Sequence, residues 1–326
     1  MPEKLDGKVF INNMQEGLAK NILSTIAYYD VMDYPMTAFE IWKYLINDQR
    51  TMNNNQDREN KNYSLAEVIN ELEKEEIKKH VDEFRGFYFL KGKENLVEKR
   101  IERNKISNMK LKKARKIIFW LRFVPFVKMI AVAGRVGAKN SRSGSDIDML
   151  IIFKHGKIFT GRFLATVLVH FLGERRHEDK ISNRICFNHF ITDKLEVCVQ
   201  DLYSSHNYIF ITPLYGGDLF GKLLEKNVWI KNYRPNFSFL ENNLKTVNDS
   251  QFSRGMRFFL EKLFSSSWIE KKLKTWQTEK IKKNPLTEKK GGIIICSEAE
   301  LAFWPDFENQ GPKIFEKFQE NLKKIK

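Results

Sequence analysis

The sequence has few cysteines, and their spacing argues against the common cysteine-based architectures. Cys186, Cys198 and Cys296 are the only ones in 326 residues, and no two of them form a C-x-x-C pair. An odd number of isolated thiols does not fit a disulfide framework or a zinc knuckle. Isolated thiols of this kind are typical of a reducing compartment, so the sequence predicts a cytoplasmic protein.

A long uninterrupted apolar run is also missing. Residues 1–13 carry charges with no apolar stretch behind them, which does not fit a signal peptide. The most apolar segment, residues 117–134, contains Arg122, Pro125 and Lys128. Charges and a proline inside the segment disfavour a bilayer span. The sequence therefore predicts no membrane span, and this segment is interpreted as the end of a helix followed by a buried strand.

Basic residues are in excess along the whole chain. Lys and Arg number 56 against 41 Asp and Glu, which gives a formal net charge of +15. A surplus of this size attracts polyanions such as nucleotides and nucleic acid. The same surplus also keeps a protein in solution, and the composition alone leaves both interpretations open.

Residues 1–95 are predicted to form a winged-helix-like domain. Residues 17–32 have apolar side chains at helical spacing, and Thr37 and Ser64 each precede a Glu by three residues, as in a capping box. Three short helices followed by a hairpin are the order of a winged helix, which often reads DNA through its third helix. Here that helix, residues 64–76, carries five Glu and one Lys. Phosphate repulsion therefore disfavours DNA reading and favours a packing or protein-contact role.

The rest of the chain divides into three parts. Residues 96–125 are rich in Lys and Arg and are predicted to be a connecting helix with a solvated basic face. Residues 126–237 alternate apolar strands with an apolar helix, and residues 238–326 are mainly helical in pattern apart from a short apolar run. Within the middle part, residues 185–191 and 195–199 are predicted to be two strands joined by a hairpin turn.

The segment from Gly134 to Asp148 carries the pattern that bears on chemistry. A predicted strand ends at Gly134, a turn of small and basic residues follows, and Ser145-Asp146-Ile147-Asp148 opens a second strand. Because alternate side chains of a strand share a face, Asp146 and Asp148 are expected side by side. Two adjacent carboxylates are costly unless a cation neutralises them, and paired oxygen ligands suit Mg²⁺.

The turn before the acids is predicted to bind phosphate. Gly134 permits a tight bend and the close approach of a phosphate, while Arg135, Lys139 and Arg142 add positive charge. The turn is not a P-loop. Such a loop needs glycine before the lysine and Ser or Thr after it, and this chain has Ala138 and Asn140 there.

Residues 126–201 resemble the DNA polymerase beta nucleotidyltransferase superfamily, because Gly134 matches its glycine and Ser145, Asp146 and Asp148 match its S-D-x-D. The resemblance implies an α+β fold: a small mixed-sheet nucleotidyltransferase core between the winged-helix-like domain and the C-terminal helical region, a layout seen in bacterial members. It implies two Mg²⁺ ions on Asp146 and Asp148. It also implies a nucleoside triphosphate on Gly134, Arg135 and Ser145, whose nucleoside monophosphate passes to a hydroxyl acceptor.

Two positions depart from the family pattern. Arg135 stands where the family has Ser, and arginine binds phosphate through forked donors but is much larger. The family's third carboxylate is missing from its natural strand, where Asn188 can ligate a metal but cannot act as a base. Glu196 is the nearest substitute, although an exposed strand Glu is the simpler interpretation. A catalytically degenerate nucleotide- or nucleic-acid-binding protein therefore remains an alternative, with a winged-helix regulator as a more distant one.

Overall fold

A computed structural model describes residues 17–47, 62–177, 180–239, 245–287, 291–304 and 307–325. The segment considered above for a signal peptide, residues 1–13, lies outside them. The described chain is a mixture of helices and sheets, as the α+β prediction requires.

The N-terminal part combines short helices with a small antiparallel sheet. Its strands pair in the order β1-β3-β2. The elements are α1 (Leu18–Asp30), β1 (Met36–Thr37), α2 (Ala38–Lys43), α3 (Leu65–Leu72), α4 (Glu75–Lys78), β2 (Val81–Phe84) and β3 (Phe87–Leu90).

Local signals in this part are confirmed. The hydroxyls of Thr37 and Ser64 each accept a hydrogen bond from the backbone N–H of the Glu three residues on. The carboxylate of that Glu accepts one from the backbone N–H of the Thr or Ser, so both capping boxes are present. The predicted hairpin turns at Arg85 and Gly86, which both have positive φ, as a two-residue turn of this kind requires.

The remaining helices connect and cover a central sheet. Within the described residues, none of the helices is both long and apolar enough to cross a bilayer. The helices are α5 (Asn95–Leu121), α6 (Gly134–Gly137), α7 (Ile158–Phe171), α8 (Leu202–Ile209), α9 (Asp218–Lys226), α10 (Trp229–Tyr233), α11 (Gln251–Leu263), α12 (Ser267–Lys282) and α13 (Phe307–Lys324).

The central sheet is mixed and has six strands in the described part of the chain. The pair β5–β6 is parallel, with α7 as its crossover, and the other pairs are antiparallel. The order is β7-β4-β5-β6-β9-β8. The strands are β4 (Val127–Val132), β5 (Ile147–Phe153), β6 (Ile185–Thr192), β7 (Thr212–Tyr215), β8 (Ile293–Cys296) and β9 (Glu300–Trp304).

The two faces of this sheet belong to different hydrophobic clusters. Met149 and Ile151 of β5 pack in a cluster with α5 and α7. Leu150 and Ile152 pack in the other cluster, together with the N-terminal helices and α13. Because side chains alternate along a strand, Asp148 lies on the second face, the one shared with the N-terminal part.

The C-terminal region adds strands to the predicted helices. Residues 238–326 contain α11 to α13, but β8 and β9 also extend the central sheet beside β6. Strand β9 begins with a charged residue, Glu300, which is only 1% exposed. The Glu300 carboxylate lies 2.9 Å from His189 Nε2 and accepts a hydrogen bond from the Cys198 backbone at 2.8 Å.

The prediction of a strand over residues 195–199 is wrong. Strand β6 ends at Thr192, and the chain then turns through Asp193 and Lys194 into an irregular segment. Leu195 has φ +58, which is incompatible with an extended strand. Glu196 therefore lies in a loop and not on a strand next to β6.

The prediction that α5 presents a solvated basic face is wrong for one side of that helix. Arg100, Arg103, Ser107, Lys110 and Ala114 are all buried, at the spacing of a single helical stripe. The charge run hid this stripe, because local composition does not show which basic side chains have buried partners.

The two buried arginines of α5 connect the N-terminal part to the glycine turn. Arg100 donates to Tyr34 Oη, to Glu40 and to the carbonyl of Lys139. Arg103 donates to Asp33 and to the side chain of Asn140. Buried charges are tolerated where they are paired and hydrogen-bonded in this way.

Candidate active site

The bend after β4 presses the backbone against one of the acids. Gly134 has φ +58 and starts the single turn of α6. A Cβ at this position would lie 2.5 Å from Asp148 Oδ2. Glycine is therefore required twice, for its left-handed conformation and for the close approach.

Replacing Gly134 by Ala is expected to destabilise the fold by about 1–3 kcal/mol, the usual cost of a strained backbone position, and to displace Asp148. The matched control is Gly144→Ala, because Gly144 lies in the same loop and a Cβ there meets nothing within 4 Å. Urea unfolding of both variants checks the prediction, and equal stabilities would contradict it.

The structure brings Asp146 and Asp148 together, as the D-x-D spacing predicts. One carboxylate oxygen of each acid and Cys186 Sγ lie within 4.8 Å of one another. Cys186 joins them because it stands opposite Asp148 in the parallel pairing of β5 and β6. The sequence pattern marks Cys186 only as an isolated thiol, and the available signal is its place two residues before Asn188 on the same predicted strand.

The acids repel each other inside a poorly solvated site. Burial and, after it, the nearby charge of Asp146 raise the pKa of Asp148 to about 7, although the charges of Arg176 and Arg135 oppose this shift. Burial and the two carboxylates raise the pKa of the Cys186 thiol to about 12, so this side chain is a neutral thiol at pH 7. The site therefore favours an added positive charge.

Arg176 is the cation closest to this group. Its Nη1 lies 2.5 Å from Asp146 Oδ2 and 3.6 Å from Cys186 Sγ. The sequence gives no signal for this role, because Arg176 belongs to an irregular segment after α7 and reaches the acids only through the tertiary fold.

Removing the Arg176 guanidinium is expected to strengthen divalent-cation binding at the acids, because Asp146 then loses its ion-pair partner and more of their negative charge is left uncompensated. We expect Arg176→Gln to bind Mn²⁺ up to about tenfold more tightly, which corresponds to about 1.4 kcal/mol. Arg175→Gln, one residue away, is the control and should match the wild type. Calorimetric titration with Mn²⁺ checks this, and weaker binding by Arg176→Gln would contradict it.

Of the two candidates for the third position, Asn188 lies at the acids and Glu196 does not join them. A β-bulge in β6 places the Asn188 amide so that its Nδ2 donates to Asp148 Oδ1 at 2.7 Å. Glu196 is exposed and lies 3.3 Å from Lys226 Nζ. Among the described residues, no third carboxylate joins the group formed by the two acids and Cys186.

Ser145 and the turn before it are held by a buried lysine. Lys110 Nζ of α5 donates to the carbonyls of Arg142, Ser143 and Ser145. The Ser145 hydroxyl accepts from the Arg142 backbone N–H at 3.3 Å, so it closes the turn. Lys110 thus positions the segment that leads into Asp146. The prediction of a solvated basic face is therefore wrong for Lys110, which is buried.

The basic residues of the glycine turn have different environments. Arg135 is exposed at the start of α6, and its charge lowers the pKa of Asp148. Lys139 Nζ instead donates to Asn108 Oδ1 at 2.5 Å, and Arg142 lies 3.4 Å from Asp33. Of these predicted phosphate-binding residues, Arg135 is therefore the one whose charge lowers the pKa of Asp148.

Comparison with known proteins gives no relative for this chain: no protein-family model, curated protein or solved structure matches it. The resemblance stated for residues 126–201 therefore depends on the motif, and what the site does must be argued from its geometry.

Proposed function

We propose that the protein is a nucleotidyltransferase that transfers a nucleoside monophosphate from a nucleoside triphosphate to a hydroxyl acceptor. The observation that carries this proposal is the convergence of two acids, Asp146 directly before β5 and Asp148 on it, with Asp148 against the bend at Gly134. A carboxylate pair beside a glycine bend can hold a divalent cation next to the phosphates that such a bend admits.

The residues at the acid pair fit Mg²⁺. The pair offers carboxylate oxygens, which this hard cation prefers, and burial and the charge of Asp146 raise the pKa of Asp148, which supports an added cation there. Cys186 is a poor ligand for Mg²⁺ because it is a neutral thiol. Bound Mg²⁺ neutralises phosphate charge during an in-line displacement, and two such ions are expected for this reaction type.

The arginines around the pair supply charge for a triphosphate. Arg135 is exposed beside the bend, and Arg176 is 43% exposed at its side chain while it contacts Asp146. Guanidinium groups bind phosphate oxygens through two parallel donors. We propose that Arg135 holds the triphosphate and that Arg176 exchanges Asp146 for a phosphate when the nucleotide binds.

The transfer itself has a simple balance of bonds. The acceptor oxygen forms a bond to the α-phosphorus, the bond from that phosphorus to the bridging oxygen breaks, and pyrophosphate leaves. The acceptor hydroxyl also loses a proton. Because the described residues at the acids include no third carboxylate, this proton passes to solvent water.

That missing base favours a second candidate function, a nucleotide- or nucleic-acid-binding protein that keeps the fold without catalysis. Asn188 stands where the family has a carboxylate, and its amide is already bonded to Asp148. Arg135 also replaces the family's Ser. Under this alternative the site binds a metal–nucleotide complex and releases it unchanged.

One experiment separates the two functions. The protein is incubated with Mg²⁺ and each nucleoside triphosphate, with RNA, DNA or a polyol mixture as acceptor, and released pyrophosphate is measured. Release with a hydroxyl acceptor supports transfer. Binding of Mg-ATP in a calorimeter without release supports the alternative, and absence of both binding and release would overturn both candidates.

The wider architecture supports this function but belongs to the proposal. We propose that the central sheet is the nucleotidyltransferase core and that the N-terminal part is a winged-helix-like unit. Helix α3 has an exposed acidic side with Glu67, and Glu71 and Glu73 pair with Lys74 and Lys78. This charge disfavours DNA binding by that helix. Free thiols fit a cytoplasmic location.

A further inference from the structure

A cavity lies on the face of the central sheet opposite the acids. It has a volume of about 600 Å³ and lies between α7, α12 and strands β6, β8 and β9. Its wall is mainly aromatic and aliphatic, with Phe163, Phe187, Trp276 and Phe303 among the lining residues. Cavities of this size and composition are typical of small-molecule sites.

The polar part of this wall is positively charged. Arg162, Arg175 and Lys280 line the cavity, and no Asp or Glu of the described residues does so. Lys280 Nζ lies 5.3 Å above the Trp276 ring, and Arg175 is exposed. An anion that enters the cavity therefore meets three cations and no described carboxylate.

Arg162 is the cation that is built into the cavity wall. Its Nη1 donates to Gln277 Oε1 at 2.5 Å, and its guanidinium lies 4.8 Å from the centre of the Phe303 ring. Gln277 is only 2% exposed and donates to the Phe159 carbonyl at 2.8 Å. The guanidinium is thus held in one position, as a recognition group requires.

The charge of Arg162 is poorly compensated within the described chain. Its surroundings lower its pKa to about 10, because burial disfavours the cation and the nearest opposing influence is Cys296 rather than a carboxylate. One hydrogen bond to Gln277 leaves further N–H donors of the guanidinium for another acceptor. A half-buried charge without a carboxylate partner is costly, so an anion at this position would stabilise the protein.

We propose that this cavity is a binding site for a small amphipathic anion. The apolar body of the ligand packs against Phe163, Phe187 and Phe303, and its carboxylate or phosphate head group binds the Arg162 guanidinium. Arg175 and Lys280 attract the head group at the entrance. The site does not depend on nucleotidyl transfer, since Phe187 faces away from the acids while its neighbour Cys186 faces them.

The test compares ligands that share one chain and differ in the head group. Decanoate, decyl phosphate and uncharged decanol are titrated into the full protein by calorimetry, each below its aggregation limit. We expect decanoate or decyl phosphate to bind at least about tenfold more tightly than decanol, the effect of a hydrogen bond to a charged group. Which anion binds more tightly identifies the head group, and equal binding of decanol would overturn the proposal.

Variants place the binding in this cavity. Arg162→Met keeps an unbranched apolar stem but removes the guanidinium, and it should weaken anion binding about tenfold, whereas Lys271→Met on the exposed side of α12 should have no effect. Thr166→Trp fills the cavity and should abolish binding of all three ligands. Phe259→Ser changes an exposed apolar residue of α11, 62% exposed, and should leave binding unchanged. Wild-type affinity in Arg162→Met, or a loss in Phe259→Ser, would overturn the assignment.

Discussion

Replacing Asp148 by Asn is expected to reduce Mg²⁺-dependent nucleotidyl transfer about a thousandfold, because loss of metal-centred charge stabilisation costs several kcal/mol in the transition state. The change is nearly isosteric and removes a half-buried charge whose pKa is already raised to about 7, so the fold should remain intact. Pyrophosphate release at saturating Mg²⁺ and nucleotide measures the loss, and circular dichroism verifies folding.

Glu196→Gln is the matched control for this variant. Glu196 is an exposed acid that pairs with Lys226 and lies outside the acid group, so its loss should not change turnover. Unchanged turnover in Asp148→Asn would remove the catalytic role of the pair. A large loss in Glu196→Gln would instead mean that this residue, and not Asn188, occupies the third position during catalysis.

The second large effect concerns the pH dependence of stability without metal. The folded protein raises the pKa of Asp148 from 3.8 to about 7, so it favours the protonated acid more than the unfolded chain does. This contribution is complete below pH 4 and is lost as the pH rises towards 7. Each unit of pKa difference corresponds to about 1.4 kcal/mol, so the free energy of unfolding should fall by up to a few kcal/mol over this range.

Urea unfolding between pH 4 and 8 in EDTA checks this prediction. Asp148→Asn cannot ionise at this position, so its stability relative to the wild type should increase with pH. Adding Mg²⁺ should restore wild-type stability at pH 7, because the ion binds the ionised pair. Parallel pH profiles of the two proteins would show that Asp148 titrates in the same way in the folded and unfolded states.

Local patterns predicted much of the site. The D-x-D spacing predicted that Asp146 and Asp148 lie together, although Asp146 comes just before β5, and the position of Gly134 after β4 predicted the bend. Such features depend on residues within a few positions of one another, where backbone geometry decides the outcome. The same holds for the capping boxes at Thr37 and Ser64.

Features that depend on distant pairing were not predictable from local patterns. Arg176 reaches Asp146 only because a loop after α7 folds back onto β6. The bulge that turns Asn188 towards Asp148 arises from pairing with β5, and strand β9 takes its place in the sheet by pairing with β6, far earlier in the chain. In each case the deciding contact joins residues that the chain order separates.

The buried cations of α5 change the interpretation of the net charge. Arg100, Arg103 and Lys110 bind groups within the protein and are not available to a polyanion. Arg135 remains exposed beside the acids, where a phosphate can reach it. Local arrangement, rather than the overall surplus of +15, therefore supports an anionic ligand at this site.

The most direct test of the acid pair as a cation site is a titration with Mn²⁺ followed by electron paramagnetic resonance. Wild-type protein, Asp146→Asn and Asp148→Asn are compared, with and without a non-hydrolysable nucleoside triphosphate. We predict saturable binding by the wild type that the nucleotide strengthens, and binding at least about tenfold weaker in each variant. Identical Mn²⁺ binding by all three proteins would contradict the account.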